Sequence, residues 1–461
     1  MRCSSRRLLL LTLSAALFAA GGGGCTWIVD LTPRPDPDGS TNSNHPADST
    51  VPPDGDASTT TGCVTMHEEL QINSAVVDGD QDTIRGVAGA SGAFLTWVDR
   101  SGTPGSTGLS NVLTVELAFD PAAPFPAGQI ESTRYTGAGG DEDFPAIYTG
   151  GLYFVDTAGD SDVFRADLDG ASTAWSGVGT EAGVQDQLIG APTDDPNEPV
   201  VWRHVVSGTD SDIYLACGAQ QEEVTSGQTG LQDEPGVQST GAGDGIVVWS
   251  DRSATHAAVR YRPFFDCAFT SQSDLLSSRQ NDAGQPAGQS KPAVGGGFST
   301  SVGSAPYLVV WEDASQLGPD FFPSGLRGHP ISSTGIPTGS EIQINTTIEG
   351  AQREPRVGQI LYTRMSATEN AFLVVWQSAG SHDDGADIRG IFLDAAGAPI
   401  STEDFLINTA TAGDQTRPLL LVSPDHRSVF VAWEDHGGNG TDSFGAALRG
   451  RMITFGSTGC N

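Results

Sequence analysis

Short apolar runs that end in an aromatic residue recur along the chain, and an acidic residue often stands two positions after the aromatic one. Such runs, without polar alternation, are typical of strands that are buried on both faces. Outside the N-terminal leader no stretch has helical periodicity, so the pattern predicts an all-β fold. The seven runs are Phe94–Trp97, Leu152–Phe154, Pro199–Trp202, Ile246–Trp249, Leu308–Trp311, Leu373–Trp376 and Phe430–Trp433.

A second pattern, Gln-x-x-Pro, begins 12 to 24 residues before the aromatic residue that ends each apolar run. Between Gln81 and Gln415 the copies recur about every 56 residues, which is typical of a four-stranded propeller blade. Abundant Gly and Pro (59 and 27 residues) also suit short strands joined by turns. Four copies are intact (Gln232–Pro235, Gln289–Pro292, Gln352–Pro355, Gln415–Pro418) and three are degenerate (Gln81–Ile84, Glu142–Pro145, Gln185–Leu188).

The two ends of the repetitive region predict that the array closes into a ring. The first segment, Glu69–Asn73, matches the outermost strand of later units, such as Glu341–Asn345. The last segment, Leu448–Thr454, matches a third strand and lacks a fourth. The first segment can therefore complete the last blade and remove an exposed sheet edge. We predict a single seven-bladed β-propeller closed by its N-terminal strand, in a range of six to eight blades.

The N-terminus predicts an export signal and a tether. Three arginines precede an apolar segment, Leu8–Ala20, and four glycines then lead to Cys25. This leader resembles a bacterial lipoprotein signal, which implies a lipid anchor on Cys25 and a place at the outer membrane, facing the periplasm or the cell surface. Residues 1–24 are the predicted signal peptide. Residues 25–62, rich in Pro, Asp, Ser and Thr, are a predicted disordered tether, and residues 63–461 are the propeller.

Four cysteines remain outside the leader and the anchor, an even number in an oxidising compartment. Cys63 precedes the closing strand and Cys460 follows its partner, so a disulfide between them would secure the ring. Cys217 and Cys267 then pair by elimination. They occupy similar places in adjacent units, and only irregular loops could bring them within the Cα distance that a disulfide needs.

The net charge of −34 disfavours binding to nucleic acid or to anionic lipid surfaces. A soluble, self-repelling, monomeric protein is the simplest interpretation, and capture of cations or basic partners is the alternative. Acidic residues are concentrated in the turns that enter strand one and in the loops from strand two to strand three. These segments lie on one face of a propeller, where we expect a protein or polysaccharide ligand to dock.

Alternating carboxylates suggest two weak calcium candidates, Asp78, Asp80 and Asp82 in one turn and Asp383 and Asp384 in another. Both stretches align with ordinary turns of the repeat, so solvated turns are the alternative. The repeated aromatic and amide residues are predicted to be structural: tryptophans would pack between blades and glutamines would tie the turns to backbone groups of the next blade. These residues are Trp97, Trp202, Trp249, Trp311, Trp376, Trp433, Gln232, Gln289, Gln352 and Gln415.

The alternation of Gln-x-x-Pro-x-Val with Val-Val-Trp-x-Asp resembles secreted bacterial β-propeller repeat lipoproteins, and 389–397 is the best-preserved stretch. The resemblance implies the fold but little about activity. No metalloprotease, P-loop or nucleophile-elbow motif is present. The leading hypothesis is therefore a non-enzymatic binding or scaffold head.

Two alternatives stay open. One is a glycan hydrolase or lyase with acids such as Asp143, Asp233, Glu234 and Glu354 near the ring axis. The other is a calcium-stabilised structural module with no other cofactor. Carboxylates clustered with His or Arg around the central channel would favour the enzyme over the scaffold.

Overall fold

The computed structural model describes most of the chain between residues 64 and 455. The predicted signal peptide and tether, together with Cys63 and Cys460, lie outside the described residues. The described residues are 64–73, 81–89, 92–100, 111–120, 122, 124, 132–136, 142–148, 150–156, 161–167, 175–179, 182–192, 195, 197–218, 220–241, 243–253, 257–269, 274–277, 288–304, 306–315, 324–364, 367–382, 385–437 and 446–455.

Seven four-stranded antiparallel sheets form a seven-bladed β-propeller, which confirms the predicted fold class. In chain order, β1 (Val64–Gln71) comes first and belongs to the last blade. The first three blades contain β2 (Gln81–Gly89), β3 (Gly92–Asp99), β4 (Asn111–Leu117) and β5 (Ser132–Thr136); β6 (Glu142–Ile147), β7 (Gly151–Asp156), β8 (Asp162–Asp167) and β9 (Trp175–Gly179); and β10 (Val184–Gly190), β11 (Val200–Ser207), β12 (Asp210–Cys217) and β13 (Gln220–Glu223).

The remaining four blades follow the same order. Blade 4 contains β14 (Gln232–Ser239), β15 (Gly245–Asp251), β16 (Ala258–Phe264) and β17 (Asp274–Ser277). Blade 5 contains β18 (Gln289–Gly296), a ribbon of β19 (Ser299–Thr300) and β20 (Gly303–Ser304), then β21 (Tyr307–Asp313), β22 (Gly325–Ile331) and β23 (Ile342–Gln343). Blade 6 contains β24 (Gln352–Arg364), β25 (Ala367–His382), β26 (Gly385–Asp394) and β27 (Phe405–Leu406). Blade 7 contains β28 (Gln415–Val422), β29 (Ser428–Asp435), β30 (Ala447–Phe455) and β1.

The hydrophobic core lies between neighbouring blades. One core cluster, for example, joins Leu308 and Val310 of blade 5 to Phe372, Val374 and Trp376 of blade 6. The second strand of each blade supplies both faces of this packing, and all seven residues of β15 are buried. This explains why these strands are apolar runs without alternation.

The N-terminal strand closes the ring as predicted. Strand β1 pairs with β30 from Val64 opposite Phe455 to Gln71 opposite Arg449. After β1, the Asn73 side chain accepts the backbone N–H of Leu448 at 2.9 Å. Asn345 and Asn408 make the same bond, at 2.8 and 2.7 Å, after the outer strands of blades 5 and 6. The closing blade therefore has the same outer-edge geometry as blades made from contiguous chain.

Cys217 and Cys267 form the disulfide that elimination predicted, with their Cα atoms 5.8 Å apart. Cys217 ends β12, whereas Cys267 lies in a turn after β16. Asp266 and Cys267 both have left-handed backbone conformations, with φ of 49° and 58°. This irregular turn brings equivalent places on adjacent blades within reach of one bond.

Replacing Cys217 and Cys267 together with Ser is expected to lower the free energy of unfolding by up to roughly 4 kcal/mol. The bond closes a segment of 50 residues, and its loss frees the unfolded chain. Urea unfolding followed by tryptophan fluorescence measures the change. Each single Ser variant should lose a comparable amount because either one removes the bond, and an unchanged unfolding midpoint would contradict the prediction.

Candidate ligand site at the mouth of the central channel

Every copy of the repeated phrase, intact or degenerate, forms the same β-bulge at the start of the innermost strand. The strand register shifts between the second and fifth residues of all seven copies. The third residue is in the left-handed region in each blade, which is uncommon for residues other than glycine. The seven third residues, with φ between 49° and 57°, are Thr83, Phe144, Gln187, Glu234, Lys291, Glu354 and Arg417.

The seven third residues surround one end of the central channel, because all the innermost strands begin there. We call this rim the channel mouth. Neighbouring blades are joined at the mouth through the backbone N–H groups of third residues. Glu234 accepts the N–H of Lys291 at 2.8 Å, and its own N–H donates to Gln187 at 2.8 Å. Glu312 and Glu434, which follow the repeated tryptophans of strand two, accept the N–H groups of Glu354 and Thr83 in the next blade.

Charged side chains of both signs alternate along the mouth from blade 4 to blade 7. The Lys291 ammonium lies 3.9 Å from Glu234 and 3.3 Å from Glu354. Arg417 in blade 7 lies 3.1 Å from Glu434. Charges held this close in a concave, partly buried site are typical of binding and catalytic sites.

Two carboxyl groups at the mouth have pKa values displaced in opposite directions. Burial, reinforced by the nearby carboxylates of Glu354 and Glu234, raises the pKa of Glu312 to about 7 against the effects of the N–H that Glu312 accepts and of the Lys291 charge. Burial alone would also raise the pKa of Glu354, but the positive charges of Arg356 and Lys291 lower it below its ordinary value. Near neutral pH Glu312 can therefore carry a proton while Glu354 is ionised.

Inside the mouth, the channel is narrow and mostly apolar. A cavity of about 90 Å³ is lined by residues from all seven innermost strands. The fifth residues of the phrase in five blades are small or aliphatic, whereas the other two are arginines, Arg85 and Arg356. The described part of the channel thus has a polar rim, an apolar wall and two cationic groups in that wall.

The opposite end of the channel holds a second cavity, of about 230 Å³. Phe298, Gln359 and His426 line it, and the His426 ring lies 5.3 Å from that of Phe298. The backbone N–H of Ala88 in blade 1 donates to the carbonyl of Pro192 in blade 3 at 3.0 Å. A segment of blade 3 therefore reaches past blade 2 at this end.

The repeated tryptophans and glutamines lie away from both cavities. The six tryptophans Trp97, Trp202, Trp249, Trp311, Trp376 and Trp433 are fully buried, as are the glutamines Gln232, Gln289, Gln352 and Gln415. In blades 4 and 6 the glutamine accepts the indole N–H of its own blade's tryptophan, at 2.9 and 2.7 Å. Gln415 instead donates to the Ala412 carbonyl and to Asp435, both at 3.1 Å. These bonds lie within a blade and its entering turn, and Gln415 also accepts the Nδ2–H of Asn408 from the preceding blade at 3.2 Å.

The structure brings some of the sequence-based candidates together and leaves others undescribed. Asp233, Glu234 and Glu354 lie at the mouth, and Asp233 is 3.0 Å from Arg203 of the preceding blade. Asp143 belongs to β6, but its side chain is outside the described part of the structure. At least half of each loop between strands two and three, where further acids were expected, is also outside it in every blade except the third.

The calcium hypothesis stays a prediction. Asp78, Asp80, Asp383 and Asp384 lie outside the described residues, and Asp82 forms an ion pair with Arg100 at 2.9 Å. Among the residues that are described, no three His, Cys, Asp or Glu side chains are grouped to hold a metal ion. Likewise, no helix in the described part is long and apolar enough to cross a membrane.

Sequence reasoning did not identify Arg85, Lys291, Glu312 or Arg356 as site residues. Lys291 is the sole lysine of the chain. One signal in the sequence could have found them. The third and fifth places of the phrase vary in charge, whereas its first and fourth places repeat.

No protein-family model matches the chain, and no curated protein matches it. Solved structures that it resembles include the N-terminal domain of Nup159 (12% identity, TM-score 0.45, covering 86% of this chain and 96% of that one). The alignment with a prolyl endopeptidase (12% identity, TM-score 0.46) covers 78% of this chain and 46% of the endopeptidase chain. The alignment with the catalytic domain of a GH62 α-L-arabinofuranosidase from Coprinopsis cinerea (10% identity, TM-score 0.33) covers 89% of this chain and 100% of that domain. Scores this low carry no argument about function.

Proposed function

We propose that the propeller binds a polysaccharide of the cell envelope at the channel mouth. The observation that carries this proposal is the convergence of Glu234, Lys291, Glu354 and Arg417, from four successive blades, on one concave opening. Such an opening offers hydrogen-bond donors and acceptors beside apolar wall, which suits the hydroxyl groups and ring faces of a sugar.

The energetic cost of the mouth supports a role in ligand binding. A left-handed non-glycine residue costs on the order of 1–3 kcal/mol, and the mouth contains seven. The buried carboxyl groups of Glu312 and Glu434 add a desolvation cost, which raises the pKa of both. Strained backbone and displaced pKa values cluster at functional sites more than in passive scaffold.

A sugar suits this opening better than a protein surface does. The channel cavity of about 90 Å³ can admit one small group but not a folded segment. The proposed lipid anchor on Cys25 and the tether to residue 62 would hold the head at the envelope, where polysaccharides are abundant. The protein would act there as a monomer without a cofactor.

Glycan hydrolysis is the second candidate, and the Glu312–Glu354 pair favours it. These carboxyl groups lie in adjacent blades with opposite pKa displacements, as an acid and a base require. Arginines stand close by, which meets the criterion set for an enzyme. However, one oxygen of Glu312 already accepts the Glu354 N–H at 2.8 Å, and this engagement favours binding over catalysis.

An oligosaccharide array tests the proposal, with peptidoglycan fragments, uronic acid oligomers and neutral glucan and galactan oligomers as probes. We expect at least one class to bind, and the Lys291→Met/Glu354→Gln double variant to lose about tenfold or more in affinity, since each charged hydrogen bond contributes about 1.5–3 kcal/mol.

The control is Glu403→Gln, a change of an exposed acid away from the mouth, which should bind as the wild type does. Failure of every probe to bind, or equal binding by the double variant, would refute the proposal. If new reducing ends form in the same incubations, and Glu312→Gln forms them about 100-fold or more slowly, the result would instead establish the hydrolase.

A further inference from the structure

Two arginines occupy equivalent places in the wall of the channel. Arg85 and Arg356 are the fifth residues of the phrase in blades 1 and 6, and Leu419 holds that place in blade 7 between them. Each guanidinium makes the same local bond, donating through Nη1 to the carbonyl of the preceding residue, at 2.9 Å to Ile84 and 2.8 Å to Pro355. Their poses are therefore related by the repeat, and both line the same cavity.

The Arg85 guanidinium has unused donor capacity. Its Nε is buried and has no hydrogen-bond partner among the described residues, and it forms no ion pair with any of them. Arg356 has one distant carboxylate partner, Glu354 at 3.8 Å, which is itself shared with Lys291 at 3.3 Å. A buried donor without a partner costs free energy, and an acceptor from a ligand would remove that cost.

Like charges also face one another in this part of the channel. Burial, together with the positive charges of Arg356 and Arg417, lowers the pKa of Arg85 to about 10 against the opposing effect of Glu354 and Glu434. The group stays protonated at neutral pH, so the channel wall holds a positive charge that Glu354 and Glu434 offset only from a distance, with no direct ion pair to Arg85 among the described residues. This is unusual in a chain whose net charge is −34, and an anion entering from the mouth would offset it.

We infer that Arg85 and Arg356 form a subsite for a carboxylate, and that the polysaccharide bound at the mouth is an acidic one whose uronate group enters the channel. The inference rests on the proposed function and names the class of its ligand.

The chemistry of the wall selects this group. A guanidinium presents parallel N–H groups that match the two oxygens of a planar carboxylate. Ala146, Gly236 and Ala293, which hold the fifth place in three other blades, present no polar side-chain group to the cavity, and an apolar wall strengthens such bonds. A cavity of about 90 Å³ holds a carboxylate but not a second sugar.

The experiment uses matched ligands. Oligogalacturonate is titrated into the purified chain by calorimetry, beside the same oligomer with its carboxyl groups methyl-esterified. We expect the wild type to bind the acid form about 10- to 100-fold more tightly than the ester, as charge-assisted bonds predict. Arg85→Met and Arg356→Met should each reduce that preference to about threefold or less.

Arg353→Met is the matched control, because Arg353 belongs to the same copy of the phrase as Arg356 but is exposed. Arg353→Met should keep the preference for the acid form. A loss of preference in the two channel variants would then not be a general effect of removing one positive charge. The melting temperature of Arg85→Met should be equal to or higher than that of the wild type, because the substitution removes a buried charge that has few partners. A fall of more than about 5 °C would indicate a structural role and count against the subsite.

The outcomes separate this inference from the proposed function. Equal binding of acid and ester by the wild type would overturn the carboxylate subsite and leave glycan binding intact. Tighter binding of a sulfated galactan oligomer than of oligogalacturonate would overturn the assignment to carboxylate. If no oligosaccharide of any class binds, the proposed function fails and the subsite fails with it.

Discussion

Replacing Asp404 with Ala is expected to lower the free energy of unfolding by about 3–5 kcal/mol. This carboxylate is buried between blades 5 and 6, and its side chain is only 1% exposed. It accepts the backbone N–H groups of Thr346 and Thr347 at 2.9 and 2.7 Å, their hydroxyl groups at 2.9 and 2.6 Å, and Nε of Arg389 at 2.8 Å. Its removal leaves these donors and a half-buried guanidinium without their acceptor.

Urea unfolding of Asp404→Ala beside Glu403→Ala measures this effect. Glu403 is the preceding residue and is exposed, so its variant should stay within about 0.5 kcal/mol of the wild type. The free energy of unfolding of Asp404→Asn should lie between those of the two Ala variants, because the amide oxygen of Asn can still accept some of these hydrogen bonds. Equal unfolding midpoints for the Asp404→Ala and Glu403→Ala proteins would contradict the assigned role.

The same carboxylate makes this contribution dependent on pH. Burial alone would raise the pKa of Asp404, but the bonds from Thr347 and Arg389 lower it below its ordinary value of 3.8. Its stabilisation is therefore complete above that ordinary value and is lost as the pH falls through the folded-state pKa. The stability curves of the wild type and Asp404→Ala should converge below about pH 4.

Replacing Trp376 with Ala is expected to cost about 3–5 kcal/mol of stability. Its ring is fully buried in the cluster that joins blades 5 and 6, where it packs with Leu308 and Val310. Its indole N–H also donates to Gln352 at 2.7 Å. Ala would leave a cavity between the blades and an unpaired amide oxygen.

A series of variants separates packing from hydrogen bonding. Trp376→Phe retains an aromatic ring but lacks the N–H, and Gln352→Ala removes the acceptor alone. A double-mutant cycle on these two changes should give a coupling of about 1 kcal/mol, the typical value of one hydrogen bond. A cost below about 1 kcal/mol for Trp376→Ala would show that the blades do not depend on this contact.

Much of the fold follows from the sequence because its repeats are physical units. The period predicts the blade, and the match of Glu69–Asn73 to Glu341–Asn345 predicts the closing strand. This match reflects a local interaction, because the side chains of Asn73 and Asn345 each accept a backbone N–H from the third strand of their own blade. The Cys217–Cys267 pair was likewise obtained by counting, although its geometry depends on the turn at Asp266.

The candidate site was only partly predictable. Asp233, Glu234 and Glu354 were placed near the axis by their position in the phrase, and the structure brings them to the mouth. Arg356 was not identified, because only its fifth place in the phrase, and no motif around it, distinguishes it from the exposed Arg353 at the second place.

The sequence by itself determined that this chain is a closed ring of seven similar units, because hydrophobic burial and strand pairing repeat with the phrase. Only the tertiary structure decided which side chains meet at its centre. A left-handed bulge at the third residue breaks the alternation of faces along each innermost strand. The direction of the fifth residue therefore depends on backbone geometry, and the meeting of Arg85 with Arg356, 271 positions apart, depends on ring closure.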